Sequence, residues 1–174
     1  VGRTVFRFES LPSTNDHAAA LAADPANDGA VVLADFQTGG RGQYGRVWQS
    51  RPGASVLLSA VVFPPAAACR PVVLTAWAAV AVADAVQRLV GADARIKWPN
   101  DVLVGGKKVC GTLIELAAGG GRTPRAVVGV GLNLNQSADE FAEAGLPDAA
   151  SLGMLAGRAF DPWAAAEAVI RELD

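Results

Sequence analysis

Histidine, tyrosine, methionine and cysteine are scarce: one, one, one and two in 174 residues. Two cysteines, Cys69 and Cys110, are too few for a disulfide framework. The expected state of each is a buried free thiol, acting as a small apolar group. No cysteine or histidine cluster has zinc spacing, and no Ser-His-Asp order with a nucleophile elbow is present. His17, the lone histidine, falls in a helical stretch and reads as a surface or capping residue. Charge is also sparse, at 18% of residues with a net charge of −2 and no block of one sign. That leaves no electrostatic footprint for nucleic acid or an anionic membrane. No uninterrupted apolar run approaches the roughly 20 residues of a membrane span. The first residues, VGRTVFRFES, lack the apolar core of a signal peptide. A cytoplasmic protein of one ordinary domain is therefore expected.

What is abundant is apolar sequence, 51% of the chain and much of it alanine, with 19 glycines between the apolar segments. Val5 to Phe8 predicts a short strand. Ser13 predicts a helix cap, with Asp16 in the favourable first turn and a helix from Thr14 to about Ala23. Ala30 to Phe36 and Ser55 to Phe63 predict buried strands, separated by a long loop rich in glycine and arginine. Val72 to Val90, closed by Gly91, is the strongest helix candidate. Arg95 to Trp98 predicts a short strand before Pro99. Val102 to Val104 and Lys107 to Leu116 flank Gly105-Gly106, a pair suited to a two-residue hairpin turn. Gly119 to Gly121 marks a second turn, and Ala126 to Leu134 the last clear strand. Helices are expected over Ser137–Ala144 and from Asp161-Pro162 to Leu173. Strands paired by hairpins, with helices interspersed, argue an α+β fold with a mixed, largely antiparallel sheet flanked by helices.

Four segments carry candidate chemistry. In Gly39 to Arg46 the glycines let backbone approach a ligand, and two arginines offer planar forks for carboxylate or phosphate. The segment is neither a P-loop nor a dinucleotide fingerprint. By composition alone a solvated flexible loop and an anion cradle are equally compatible. Lys97-Trp98-Pro99-Asn100-Asp101 reads as a strand end with a turn, or as a ligand loop. Lys107-Lys108 places at most one lysine towards a site, because strand neighbours point to opposite faces. Simple alternation groups Val109, Gly111 and Leu113 on one face, and Lys108, Cys110, Thr112 and Ile114 on the other. Gly129 to Asn135 puts glycines inside a strand, where something must approach closely or pack tightly. Asn133 and Asn135 point to one face of this apolar strand and call for at least one polar partner.

In chain order, Ser13-Thr14-Asn15 is followed by Ala34 to Thr38 running into Gly40-Arg41-Gly42-Gln43-Tyr44-Gly45-Arg46-Val47-Trp48. Then come Lys97 to Asp101, Gly106 to Gly111 with Glu115, and Gly129 to Asn133. This series resembles the catalytic domain of biotin protein ligases, also called biotin–acetyl-CoA-carboxylase ligases. The resemblance implies a class II aminoacyl-tRNA synthetase-like fold and two steps. The biotin carboxylate attacks the α-phosphate of ATP, with Mg2+, to give biotinyl-5′-AMP. A lysine of a biotin carboxyl carrier domain then takes the biotinyl group.

By the same resemblance Arg41 and Lys108 meet the carboxylate and α-phosphate as catalytic residues. Ser13, Thr14, Asn15, Gln37, Gly40, Gly42, Gln43 and Gly111 join them around biotin. Arg46, Trp48, Lys97, Asn100 and Asn133 face ATP or the adenylate, and Asp101 is the metal candidate. In many members the glycine-arginine loop orders only over the adenylate. Gln43 departs from the arginine frequent at its position, which bears on adenylate retention. The 174 residues are expected to form the catalytic domain alone, without an N-terminal DNA-binding domain or the small C-terminal β domain. A monomer and a homodimer are both compatible with the exposed strand edges. The related alternatives are a lipoate or octanoate ligase or transferase, and a module that binds biotin or biotinyl-AMP without turnover.

Overall fold

The computed structural model describes residues 1–119 and 122–174, so Gly120 and Gly121 of the expected Gly119 to Gly121 turn lie outside the described residues. One mixed sheet organises the chain. Its strands are β1 (Thr4–Leu11), β2 (Ala30–Gln37), β3 (Ser55–Val62), β4 (Ala94–Lys97), β5 (Asp101–Val104), β6 (Lys107–Gly119) and β7 (Arg122–Asn133). Their order is β1-β2-β3-β7-β6-β5-β4. β1 and β2 run parallel, joined by a crossover containing α1 (Thr14–Leu21). Every other neighbouring pair is antiparallel. The α+β expectation and most predicted element positions agree with this arrangement.

The two faces of the sheet have different fates. Val31 and Leu33, Val56 and Leu58, and Val128, Val130 and Leu132 point to one face. There they meet Ala78, Val82 and Val86 of α2 (Pro71–Val90), and Ala165, Ala166 and Val169 of the C-terminal helix. Burying each valine or leucine contributes about 1.5–3 kcal/mol, so this layer holds most of the core. α2 starts with proline in its first turn and ends on Gly91, whose φ of 67° closes the last turn without Cβ strain. By length and composition α2 is apolar enough to cross a membrane, although polar residues interrupt its apolar run; half of its apolar window is buried in the protein.

The opposite face is only partly covered. Ala18 and Ala22 of α1 and its C-terminal cap pack on Ala30, Val32, Val61 and Val127. Ser13 caps this helix by accepting the Asp16 N–H, as its sequence position suggests. Beyond α1, the face carries Ser59, Gly129, Gly131, Gly111, Leu113 and Glu115, the residues that alternate with the core set.

The C-terminal part is a string of capped helices: α3 (Ala138–Glu143), α4 (Leu152–Ala156) and α5 (Pro162–Glu172). Ser137 and Glu140 form a reciprocal capping box at α3. Asn135 ties this region down, donating to the Phe160 carbonyl at 2.9 Å and accepting the Phe160 N–H at 2.9 Å. α4 has no counterpart in the sequence reading, and β6 runs beyond the Leu116 expected as its end.

Candidate active site

The open face borders a cleft at Leu113 and Glu115 of β6. In β6 and β7, Gly111 lies opposite Gly131 and Leu113 opposite Gly129. A Cβ at Gly131 would stand 2.6 Å from the Trp48 ring, and one at Gly129 would overlap the Asn15 carboxamide. These glycines make a floor flat enough for side chains from elsewhere in the chain to lie on. Trp48 covers the Gly111–Gly131 end. Its indole N–H is buried and has no hydrogen-bond partner among the described residues.

Lys108 reaches this same end through a β-bulge. Leu103 pairs with Lys108, but Val102 pairs with Cys110, so Val109 is an extra residue. Val109 and Cys110 both turn into the core. Lys108 is thereby returned to the open face with Gly111. The alternation that grouped Lys108 with Cys110, Thr112 and Ile114 is corrected by this single inserted residue. Lys108 Nζ lies 2.6 Å from Asp101 Oδ1 and 6.0 Å from the centroid of the Trp48 ring. Lys107 points away, its ammonium donating to the Pro147 carbonyl at 2.8 Å. Burial pushes the neighbouring Cys110 thiol far above its ordinary range, although Lys108 pulls the other way. Both cysteines are free; Cys110 is buried and Cys69 is half-buried.

The Gly39 to Arg46 segment is folded. Trp48 N–H donates to the Gly40 carbonyl at 3.0 Å and Gly42 N–H to the Arg46 carbonyl at 2.8 Å. Arg41 bridges Val47 in antiparallel fashion. The result is a small hairpin with Gln43–Gly45 as its tip, where Tyr44 takes a φ of 59°. Gly40 is required at the base, since a Cβ would fall 2.4 Å from the Trp48 carbonyl oxygen. With Thr38, Pro99, Leu113, Ile114 and Glu115, this hairpin lines a cleft of about 710 Å³. Gln43 and Arg46 belong to its wall.

Arg41 leaves the hairpin and meets two carboxylates. Its Nη1 donates to Asp16 Oδ1 at 2.6 Å and its Nη2 to Glu115 Oε1 at 2.9 Å. The hydrogen bond to Asp16 is the largest influence on the guanidinium; burial opposes it, and with the charge of Glu115 the balance holds Arg41 still more firmly protonated than usual. Asn15 Nδ2 donates to the second Glu115 oxygen at 2.7 Å. Behind it, Ser59 Oγ lies 2.6 Å from Asn15 Oδ1 and 2.8 Å from Thr14 Oγ1. Gln37 Oε1 accepts both the backbone N–H and the hydroxyl of Thr14, at 2.7 and 2.9 Å. Thr14, Asn15 and Ser59 are buried. Three contacts among Thr14, Ser59, Asn15 Oδ1 and Gln37 Oε1 share only two hydroxyl protons, so this end is rich in acceptors and short of donors.

The other named residues fall into two groups. Asn100 holds a turn against β6, donating from Nδ2 to the Thr112 carbonyl at 3.1 Å while its own carbonyl accepts the Thr112 N–H at 2.9 Å. The adjacent Trp98–Pro99 peptide is cis. Asn133 is buried, donates to the Ala150 carbonyl at 3.2 Å and accepts from Gln136 at 3.3 Å. Both are thus engaged by the protein itself. Lys97 and Arg46 are exposed and make no ion pair among the described residues. Asp101 does not fit a built metal site: its oxygen has the Lys108 ammonium as neighbour. Among the described residues no group of three or more His, Cys, Asp or Glu side chains could hold a metal ion.

The sequence reading gave Asp16 no part in the site, Glu115 no role and Ser59 no polar role of its own. Ser59 had a usable signal, a hydroxyl in the middle of an apolar strand. The close approach expected at Gly129 and Gly131 is made by Asn15 and Trp48.

The family model of the biotin/lipoate A/B protein ligase family matches residues 7–133. The chain is 39% identical over 170 residues to a biotin–[acetyl-CoA-carboxylase] ligase of Mycobacterium tuberculosis, covering 93% of this chain and 59% of that one. It is 37% identical over 161 residues to the bifunctional ligase/repressor BirA of Bacillus subtilis, covering 92% of this chain and 50% of that one. The chain thus spans between half and two thirds of these relatives. Among solved structures, biotin protein ligase from Aquifex aeolicus in complex with biotin and ATP superposes with a TM-score of 0.80 at 26% identity, over 98% of this chain and 68% of that one. The Leishmania major enzyme in complex with biotinyl-5-AMP gives 0.77 at 25% identity, over 99% and 73%. The sheet and its helices are the class II aminoacyl-tRNA synthetase-like arrangement of these enzymes, and by sequence and fold the chain belongs to the biotin/lipoate A/B protein ligase family.

Proposed function

We propose that this chain is the catalytic unit of an ATP-dependent biotin protein ligase acting on the biotin carboxyl carrier domain of a carboxylase. In the first step a carboxylate oxygen of biotin attacks the α-phosphorus of ATP. Pyrophosphate leaves and biotinyl-5′-AMP forms. In the second, a carrier lysine amine attacks the biotinyl carbonyl carbon, AMP leaves, and an amide remains. Magnesium enters with ATP, as part of that substrate.

The observation that carries the reading is the polarity gradient along the glycine floor. Thr14, Asn15, Ser59 and Gln37 gather acceptors at one end, complementary to the two N–H donors of a ureido ring. Leu113, on the lining of the cleft, suits an alkyl chain. Lys108 and the free indole N–H of Trp48 stand at the other end, where a carboxylate and a phosphate would otherwise repel each other. Charge-assisted hydrogen bonds to such anions contribute about 1.5–3 kcal/mol each. The relatives named as biotin–[acetyl-CoA-carboxylase] ligases and the neighbours holding biotin with ATP or biotinyl-5-AMP support the same chemistry.

The test is incubation of the chain with biotin and Mg-ATP, followed by mass spectrometry. Biotinyl-AMP is the expected product, and lipoate in place of biotin is expected to give none. A lipoyl adenylate as the main product would move the reading to the lipoate branch of the family. Ligand-induced thermal stabilisation by biotin without any adenylate would reduce the protein to a binding module.

A further inference from the structure

Arg41 meets two carboxylates that are held in very different ways. Glu115 is anchored. It stands on β6, and its second oxygen accepts from Asn15 at 2.7 Å. Asn15 is buried and is itself backed by Ser59. Asp16 is loose. Its side chain is 57% exposed, and Arg41 is its one side-chain partner among the described residues. Its 2.6 Å contact occupies a guanidinium N–H that a ligand anion would need.

We propose that Glu115 and Asp16 are opposed positioning residues for Arg41: Glu115 orients the guanidinium over the cleft, and Asp16 occupies the place of an anionic ligand and sets how tightly one binds. Ligand binding is then a carboxylate exchange. The incoming carboxylate or phosphate takes the Arg41 donor from Asp16, which turns into solvent at little cost because it is exposed. Glu115 keeps its grip through the exchange, because Asn15 holds its carboxylate in place and losing Arg41 would leave a less solvated carboxylate than Asp16 unpaired. The inference rests on the reading of the cleft as an anion-activating site.

The experiment compares the full chain with Asp16→Asn, Glu115→Gln, Glu115→Asp and the remote charge control Glu143→Gln. Steady-state adenylate formation gives KM for biotin and kcat. Amide exchange without ligand gives the order of the 40–48 hairpin. Asp16→Asn is expected to lower KM for biotin about two- to fivefold, the range set by loss of one exposed competing ion pair. Glu115→Gln is expected to lower kcat/KM about tenfold or more and to speed ligand-free exchange at residues 41–47. Glu115→Asp, which keeps the charge, is expected to recover part of that loss, and Glu143→Gln to leave both constants in place. A raised or unchanged KM in Asp16→Asn, or KM shifts of the same sign in Asp16→Asn and Glu115→Gln, would overturn the proposal. If the wild type makes no adenylate, the functional reading fails separately. The exchange arm still decides, because hairpin exchange in Glu115→Gln equal to wild type would refute the anchoring role.

Discussion

Lys108 and Arg41 both meet the open face of the sheet, but one stands on a strand and the other on a loop. Lys108 is fixed by the bulge at Val109 and by the Asp101 carboxylate, whose side chain is only 15% exposed. Arg41 projects from a hairpin closed by a few backbone hydrogen bonds and clasps the more exposed Asp16 and Glu115. Positioning by a sheet is preset, because moving one residue there disturbs its ladder and the core beneath it. Positioning by a clasped loop is exchangeable, because the same charges can re-pair with a ligand. A site that must admit two anions and then exclude water gains from having one end of each kind.

The sharpest way to break this comparison is at the strand-built end. Lys108→Ala is expected to lower adenylate formation by about 10²–10³-fold, the scale for removing a donor aimed at developing charge. Lys107→Ala, one residue away on the other face, is expected to stay within about twofold, as for an exposed surface charge. Pyrophosphate release under single-turnover conditions measures both, and comparable losses would contradict the facing imposed by the bulge.

Next in size is the glycine floor. Gly131→Ala places a methyl group 2.6 Å from the Trp48 ring, so the indole must lift. About 1–3 kcal/mol of stability is expected to be lost, as in overpacked cores, with a change in tryptophan emission. Gly111→Ala, with its nearest ring atom at 3.2 Å, is expected to do the same more weakly. Denaturant unfolding of the two variants orders them, and the reverse order would count against the floor.

The smallest effect is expected where the loop's trailing end is pinned. Arg51 donates to Glu140 at 2.7 Å and to the Asn135 carbonyl at 2.9 Å. The Glu140 carboxyl is held below its usual range, first by the Ser137 N–H and then by Arg51. A depressed folded-state value means that the contribution is present above the ordinary carboxylate range. It is lost as pH falls through the lowered one. Glu140→Gln is therefore expected to cost about 0.5 kcal/mol near neutral pH, discounted for exposure. The difference should vanish in acid. Chemical denaturation of the pair at several pH values checks both the size and the sign.

Much of this was legible beforehand, for local reasons. Ser13 before a run of helix formers, Gly91 after α2, and Gly105-Gly106 between apolar strands each encode an element through its own backbone chemistry. The family resemblance named Arg41, Lys108, Thr14, Asn15 and Gln37 as site residues; in the structure Thr14, Gln37 and Asn15 share one hydrogen-bond network that reaches Arg41 through Glu115, while Lys108 stands beside Asp101 and Trp48. What stayed hidden depends on partners distant in sequence. The bulge at Val109 is invisible to alternation, because a valine fits either face and only pairing with β5 reveals the extra residue. Asp16 and Glu115 are ordinary charges until folding brings both to one guanidinium. The hairpin at Arg41–Val47 carries no alternating apolar pattern, so composition suggested a loop. α4, at five residues, is too short to show a helical period.

The contrast between a preset strand end and an exchangeable loop end is most directly tested by amide exchange with and without biotin and Mg-ATP. Residues 37–48 are expected to gain strong protection on adding both ligands. Amides of 108–113 and 129–131 are expected to be protected already and to change little. Unchanged exchange in 37–48, or a gain in the strands as large as that in the hairpin, would contradict it.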